Sequence, residues 1–279
     1  MTKKILISLF VIGSVLPLSA SLTYALLYSL GLTGLLSDGL TLANWIQIFT
    51  GEFFQSMIYS VWIAFSSAFF TITLAMTLLF IARKYLNKPN VYRSLFLPLT
   101  IPPIVLAFVI FQLYSGGGIL SRVAWHLGLI SDLNQFPALV QDPYGIGIIL
   151  AHIFLVFPFF LLVLLNLFEN EKLDELAAVA STLGADPKDI IFRIQVPILL
   201  KGIFPLLALY FIFFLGAFEI PLVLGQSSPH MITVLIIEKL QRFNLADIPV
   251  AYAMAVWYSV ICIATISYLF THFKKRYSL

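Results

Sequence analysis

Few residues in this chain of 279 have types and spacing suited to chemistry. His126, His152, His230 and His272 are scattered, and no His-Glu-x-x-His pair places two imidazoles on one helix face for zinc. The single cysteine, Cys262, lies in an apolar run, so neither a disulfide framework nor a cysteine metal site is expected. No G-x-x-x-x-G-K-[ST] occurs, and Gly116-Gly117-Gly118 is not followed by Lys-Ser or Lys-Thr, so no phosphate cradle is readable. Nor is there a readable Ser/His/Asp set. The reading is that the chain has no catalytic residues and no metal site, and is not an enzyme. Two places remain. Glu219 is a carboxylate within an otherwise uncharged stretch, where a charge facing lipid is costly. Segment 169–201 holds ten of the chain's charged residues.

The elements that carry these residues follow from composition. The chain is 61% apolar and only 10% charged, against about 25% charged in a typical soluble domain. A soluble enzyme, a nucleic-acid binder and a disordered protein are excluded. Stretches 5–37, 53–82, 94–121, 143–168 and 248–273 contain no Asp, Glu, Lys or Arg, and 202–224 is interrupted only by Glu219. Each reaches the roughly 20 residues that cross hydrocarbon as a helix. The apolar/polar alternation of a membrane barrel is absent. The expected fold is all-α: six transmembrane helices over about 5–30, 54–82, 94–114, 146–168, 202–224 and 250–273, forming one transmembrane domain over 1–279. Lys3 and Lys4 before an apolar run also suit a signal peptide, but the run continues to Leu30 and is kept as a span.

With the N-terminus inside, 13 Lys and Arg residues fall on the cytoplasmic side and only Arg122, Lys239 and Arg242 outside. This positive-inside bias puts both termini in the cytoplasm. The net charge of +3 is then a topology signal, and no basic stripe with interleaved aromatics suggests nucleic acid. Outer loop 38–52 shows Leu42, Trp45, Ile46 and Phe49 at helical spacing, suited to the interface. His152, near the outer end of the fourth span, is expected to be a hydrogen-bonded structural residue. Pro98, Pro102, Pro103, Pro158, Pro205 and Pro221 interrupt spans three to five, and broken helices are a recurrent feature of transport pathways.

Segment 169–201 reads as a cytoplasmic helix–turn–helix. Leu173, Leu176, Ala177 and Ala180 form one apolar face, and Gly184 ends the first helix. Asp186 caps a second helix, with Pro187 at its first position, Asp189 in its first turn and Pro197 closing it. The small residues Ala177, Ala178, Ala180 and Gly184 permit close approach by another backbone.

The run from Ala178 to Pro197 resembles the EAA loop of binding-protein-dependent (type I) ABC importer permeases. Ala180, Gly184, Ile194 and Pro197 fall at the required spacings. Ala178 stands where the family has glutamate, and Glu175, one turn earlier, is a candidate replacement. Leu97-Pro-Leu-Thr-Ile-Pro-Pro103 and Gly216-Ala-Phe-Glu-Ile-Pro-Leu-Val-Leu-Gly225 look like the spermidine/putrescine-type branch. The resemblance implies a multi-pass subunit of a bacterial inner membrane. It implies two ABC ATPase subunits that hold the ATP, a second identical or homologous permease subunit and a soluble substrate-binding protein outside. Glu175, Ala177, Ala178, Ala180, Gly184, Asp186, Pro187, Ile194 and Pro197 would form the ATPase-coupling element. Glu219 and Pro221 would lie at the solute path or gate, for a polyamine or similar small cation. The rival reading is a stand-alone proton-coupled transporter using Glu219.

Overall fold

The structure, a computed structural model, describes residues 2–35, 37, 39–49, 51–137 and 139–277. Side chains of 2–4, 134, 270 and 272–277 are outside the described set, as are the sidedness expectations for Lys3, Lys4, Lys274, Lys275 and Arg276. The described chain is helical, and six helical segments are long and apolar enough to cross a membrane: Ile5–Ser29, Gly51–Leu86, Pro103–His126, Ile146–Asn170, Pro187–Leu215 and Asp247–Leu269. The expected all-α, six-span class is the observed one.

The chain forms two compact units, Met1–Ile58 with Met231–Tyr268, and Tyr59–His230 with Leu269–Leu279. The first holds α1 (Thr2–Ser29), α2 (Ala43–Ile48), the start of α3 (Gly51–Leu86), α12 (Ile232–Gln241) and most of α13 (Asp247–Tyr277). The loop helix read from Leu42, Trp45, Ile46 and Phe49 is α2. It is tied to the end of α1 by Asn44 Nδ2 donating to Ser29 O at 3.0 Å and Trp45 Nε1 to Ser29 Oγ at 3.2 Å. Its buried residue is Ile48, which joins Phe53, Ile232, Leu235, Ile236 and Met254 in one apolar cluster. Helix α12 has the period Ile232, Leu235, Ile236, Lys239 of an amphipathic helix. Lys239 lies mostly buried and reaches Glu52 at 2.9 Å.

In the second unit α7 (Ile146–Asn170) is the most buried span, and α5 (Pro103–Tyr114), α10 (Val196–Leu215) and α11 (Glu219–Leu224) pack on it. Small residues at helical spacing, Ser60, Ala64, Ser67, Thr71 and Ala75, line the buried side of α3. Asp142 Oδ2 accepts from the Tyr144 and Ile146 N–H groups at 3.0 Å and satisfies donors at the start of α7. Gly145 has φ +70°, and a Cβ there would stand 2.1 Å from Ile63 Cδ1, so only glycine fits.

Two spans differ from the sequence boundaries, and proline accounts for both. The third helix starts at Pro103, not near residue 94. The chain before it forms α4 (Pro89–Ser94) and a short 3₁₀ turn, Pro98–Thr100, because Pro102 and Pro103 cannot donate backward. After Gly116–Gly118 it continues as α6 (Ile119–His126). The fifth span starts upstream of 202 and stops at Leu215 instead of running to 224. Pro221 cannot donate to the carbonyl of Ala217, four residues earlier, so the chain breaks at 216–218 and restarts as α11. Glu219 is therefore the first residue of a new helix, not a residue inside a continuous span.

Candidate functional site

Segment 169–201 folds as a hairpin. Helix α8 (Leu173–Thr182) ends in a paired turn: Gly184 N–H donates to Ser181 O at 3.0 Å and Ala185 N–H to Ala180 O at 3.1 Å. This is the Schellman pattern, with Gly184 at φ +87° in the left-handed position the sequence assigned to it. Asp186 occupies the cap position of the next helix, α9 (Pro187–Asp189), with Pro187 first. Its side chain makes no capping hydrogen bond, so the cap is positional. Asp189 instead pairs with Arg193 at 3.0 Å.

The second helix does not close at Pro197. A π-helical turn, Ile190–Gln195, carries it directly into α10, and Pro197 sits in the first turn of that helix. Proline at 197 has no N–H for the Arg193 carbonyl and its ring crowds that position, which favours the widened turn. Ile194 lies in this turn, half-buried.

Side-chain burial redraws the expected contact face. Leu173 is fully buried and Ala180 nearly so, and Gln195 Nε2 reaches the Leu173 carbonyl at 3.4 Å between the two arms. Ala180 therefore packs inside the hairpin instead of approaching a partner. It does so because it lies two turns on from Leu173, on the same helix face. Ala177 is half-buried, whereas Glu175 and Ala178 are exposed. The exposed apolar residues include three that sequence reading passed over, Val179 at 59%, Leu183 at 83% and Phe192 at 70% exposure, and also Leu176 at 41%, which the expected apolar face had included. A run of apolar residues left out by the Leu173/Ala180 period was the available signal. Glu175 is also held in an exposed pair with Lys172 at 3.4 Å, an interaction of at most about 1 kcal/mol.

The hairpin is tied to the end of α3. Arg83 Nη2 donates to Asp174 Oδ1 at 2.7 Å, its guanidinium lies 4.0 Å over the Phe168 ring, and Asn87 Nδ2 donates to Glu169 Oε1 at 3.0 Å. A pair anchored on an aromatic face is better fixed than a free surface pair.

The broken fifth helix opens a recess of about 280 Å³ lined by Pro103, His152, Phe213, Phe218 and Glu219 among others. A second hollow of about 520 Å³, with Tyr210, shares Phe213 and Gly216 with it. Glu219 is exposed and, among the described residues, is the one acidic side chain lining the recess, to which no described Lys or Arg contributes. Pro221 is buried in α11 and does not line it. His152 has no exposed surface. Its Nδ1 lies 3.0 Å from Ser67 Oγ and its ring packs 4.8 Å from Phe214. The hydrogen bond expected of His152 is thus present, but its place beside Glu219 was not legible, because it depends on how α7 and α11 pack.

A six-span helical membrane protein with a capped hairpin before its fifth span is the class that this geometry defines. Residues 89–279 match the model of a family described as binding-protein-dependent transport system inner membrane component, and the chain belongs to that family. It is a multi-pass protein of the bacterial inner membrane. Among similar proteins is the molybdenum transport system permease protein ModB of Azotobacter vinelandii, 31% identical over 164 residues, which are 58% of this chain and 65% of that one. Another is the thiamine transport system permease protein ThiP of Escherichia coli (strain K12), 27% identical over 195 residues, 68% of this chain and 34% of that one. The matches thus span less than two thirds of either relative's length. In fold, the chain resembles a bacterial ABC transporter involved in alginate import, with TM-score 0.67 at 18% identity over 98% of both chains. A second structure of an alginate ABC transporter, in complex with its alginate pentasaccharide-bound periplasmic protein, gives TM-score 0.68 at 18% identity, over 99% of this chain and 97% of that one.

Proposed function

We propose that this chain is the membrane-spanning subunit of an ATP-driven ABC importer. It supplies the solute path and couples it to two cytoplasmic ATPase subunits through the 169–201 hairpin. The observation that carries the reading is the Gly184 turn presenting Val179, Leu183 and Phe192 on a hairpin tethered to α3. Apolar side chains exposed on a fixed, charge-rimmed hairpin suit insertion into a protein groove. Glu175, Ala177, Ala178, Asp186 and Pro187 shape or rim this contact. Gly184, Ile194 and Pro197 set the turn and its connection to α10, and Ala180 supports it from inside. A second permease subunit, identical or homologous, completes the path, and a soluble binding protein delivers solute from outside. ATP binding closes the ATPases and draws the two hairpins together; hydrolysis resets them.

The relatives named above differ in what their names say they carry, so the solute is read from this chain. A recess whose one charged side chain among the described residues is Glu219, walled by Phe213 and Phe218, favours a small cation of polyamine type. Pro221 fixes where the helix breaks. Gly184→Val tests the coupling reading: with no atom within 4 Å of the added Cβ, the cost is the left-handed backbone, about 1 kcal/mol or more. The variant is expected to insert normally and lose ATPase on co-purification. Normal ATPase recovery with normal transport would refute the assignment.

A further inference from the structure

The end of α3, the turn after it and α4 form a basic elbow beside the hairpin. Arg83, Lys84, Lys88 and Arg93 fall within residues 83–93, and no Asp or Glu occurs between Glu52 and Asp132. Arg83 and Asn87, four residues apart, point at the hairpin and donate to Asp174 and Glu169. Lys84 lies on the adjoining stripe, about 100° round the helix, and is exposed. Lys88 follows in the turn, exposed, with its ammonium 4.0 Å over the Tyr85 ring. Arg93 is exposed in α4. Among the described residues, Lys84, Lys88 and Arg93 have no acidic partner. The hairpin segment 169–201 differs: it carries six acids against four bases, and its Lys172 and Arg193 pair with Glu175 and Asp189. Uncompensated positive charge is thus confined to the elbow side of this junction.

The length of α3 sets the depth of these charges. Its uncharged stretch, 53–82, is about 45 Å long at 1.5 Å per residue, the thickness of a bilayer with its headgroup layers. Arg83 and Lys84 therefore leave the membrane at headgroup level. Tyr85 is 63% exposed there, and a tyrosine ring suits the boundary between hydrocarbon and headgroups. Phe96 and Leu97, just after Arg93, are exposed as well. Helix α4 is about 9 Å long, close to the Debye length of about 8 Å at physiological salt, so the three free charges act together. We infer that the elbow binds anionic phospholipid headgroups. Lys84, Lys88 and Arg93 take the phosphate, and Tyr85, Phe96 and Leu97 rest on the glycerol and upper acyl region. The leaflet is the cytoplasmic one, which rests on the reading of the hairpin as cytoplasmic, because Arg83 ties the elbow to it. An acidic protein surface would match the charge, but exposed apolar side chains at headgroup depth favour lipid.

The test uses the full-length chain in phosphatidylcholine nanodiscs with trace spin-labelled phosphatidylglycerol or phosphatidylcholine. The slow component of the electron paramagnetic resonance spectrum reports lipid held at the protein. Phosphatidylglycerol is expected to be held about fivefold tighter, the worth of one basic side chain at an anionic surface. Lys84→Gln/Lys88→Gln/Arg93→Gln is expected to remove most of that preference. Lys172→Gln/Lys188→Gln/Arg193→Gln in the hairpin takes away as many positive charges and is expected to leave it. Removing basic residues also weakens a topology signal, so Lys84→Gln/Lys88→Gln, which keeps Arg93, serves if the triple variant does not insert, and should lower the ratio in the same direction. Equal retention of the two lipids, or an equal fall of the ratio in both triple variants, would overturn the inference. So would displacement by soluble glycerol phosphate, the mark of a phosphate site that needs no bilayer. A lipid preference that stays while the elbow variant loses its ATPase would assign the elbow to the ATPase instead. The readout itself needs no ATPase. Failure of the coupling reading at Gly184→Val leaves the lipid ratio standing, and equal lipid retention leaves the coupling reading standing.

Discussion

The hairpin and the broken fifth helix solve opposite problems with similar residues. In the hairpin, charged groups are paired and several apolar ones are left out: Arg83 meets Asp174, Asp189 meets Arg193, Gly184 and Ala185 close the turn, and Leu183 stands in the open while Leu173 is buried. In the recess the lining is mostly apolar and partly open, with Phe213 48% exposed and the Glu219 carboxylate exposed beside it. A carboxylate standing in a mostly apolar lining favours a polar or cationic partner. By the same reasoning an exposed apolar patch on a tethered element marks a protein contact. On the proposed reading the two regions serve different partners, a macromolecule and a small solute.

The largest expected effect separates docking from folding. Leu183→Glu replaces an exposed side chain and touches no core, so thermal stability of the purified subunit should stay within about 0.5 kcal/mol. ATPase retained on co-purification should fall at least about tenfold, since a charge is forced into an apolar contact. Unchanged retention would show that the patch is not the contact.

A pair of glycines sharpens the contrast between open and packed sites. Both Gly145 and Gly184 have positive φ. At Gly184 an alanine costs only its backbone, about 1 kcal/mol. At Gly145 it also drives a Cβ into Ile63 and the Tyr59 hydroxyl, adding about 1–3 kcal/mol of overpacking. Denaturation of the two variants in detergent should rank Gly145→Ala as the less stable by that margin. Equal stabilities would mean that the start of α7 relaxes freely.

Glu219→Gln addresses the recess alone. It keeps shape and hydrogen-bonding capacity and removes charge. In the assembled, reconstituted transporter the apparent KM for a cationic solute should rise several-fold, with ATPase recovery unchanged. An unaltered KM and maximal rate would leave Glu219 a structural residue. The smallest effect belongs to Asp174→Asn at the hairpin tether. The carboxylate is exposed, so stability should change by less than about 1 kcal/mol and the change should vanish at high salt.

How far the sequence reached follows the same division. Local chemistry was legible: Gly184 as a left-handed stop, Pro187 as a helix start, and Leu42 to Phe49 as an amphipathic turn each depend on residues within a few positions. The spans were legible from uncharged length. Their ends were not, because Pro103 and Pro221 act on bonds four residues earlier and moved both the third and fifth helices. The burial of Ala180 was missed, since the hairpin's second arm, through Gln195, decides which side faces in. Helix α12 was passed over, although Ile232, Leu235, Ile236 and Lys239 carry its period. The meeting of Ser67, His152 and Glu219 joins three separate helices, and no spacing within any one of them announces it.

Site-specific photo-crosslinking in native membranes tests the coupling claim most directly. A photoreactive residue is placed at 183 on the hairpin or at 243, where Phe243 stands fully exposed between α12 and α13 on the side read as external. Position 183 should crosslink to the ATPase subunit in a manner that changes with added nucleotide, and position 243 should not. Absence of an ATPase adduct from 183 in membranes that still transport solute, or an adduct from 243, would contradict the account.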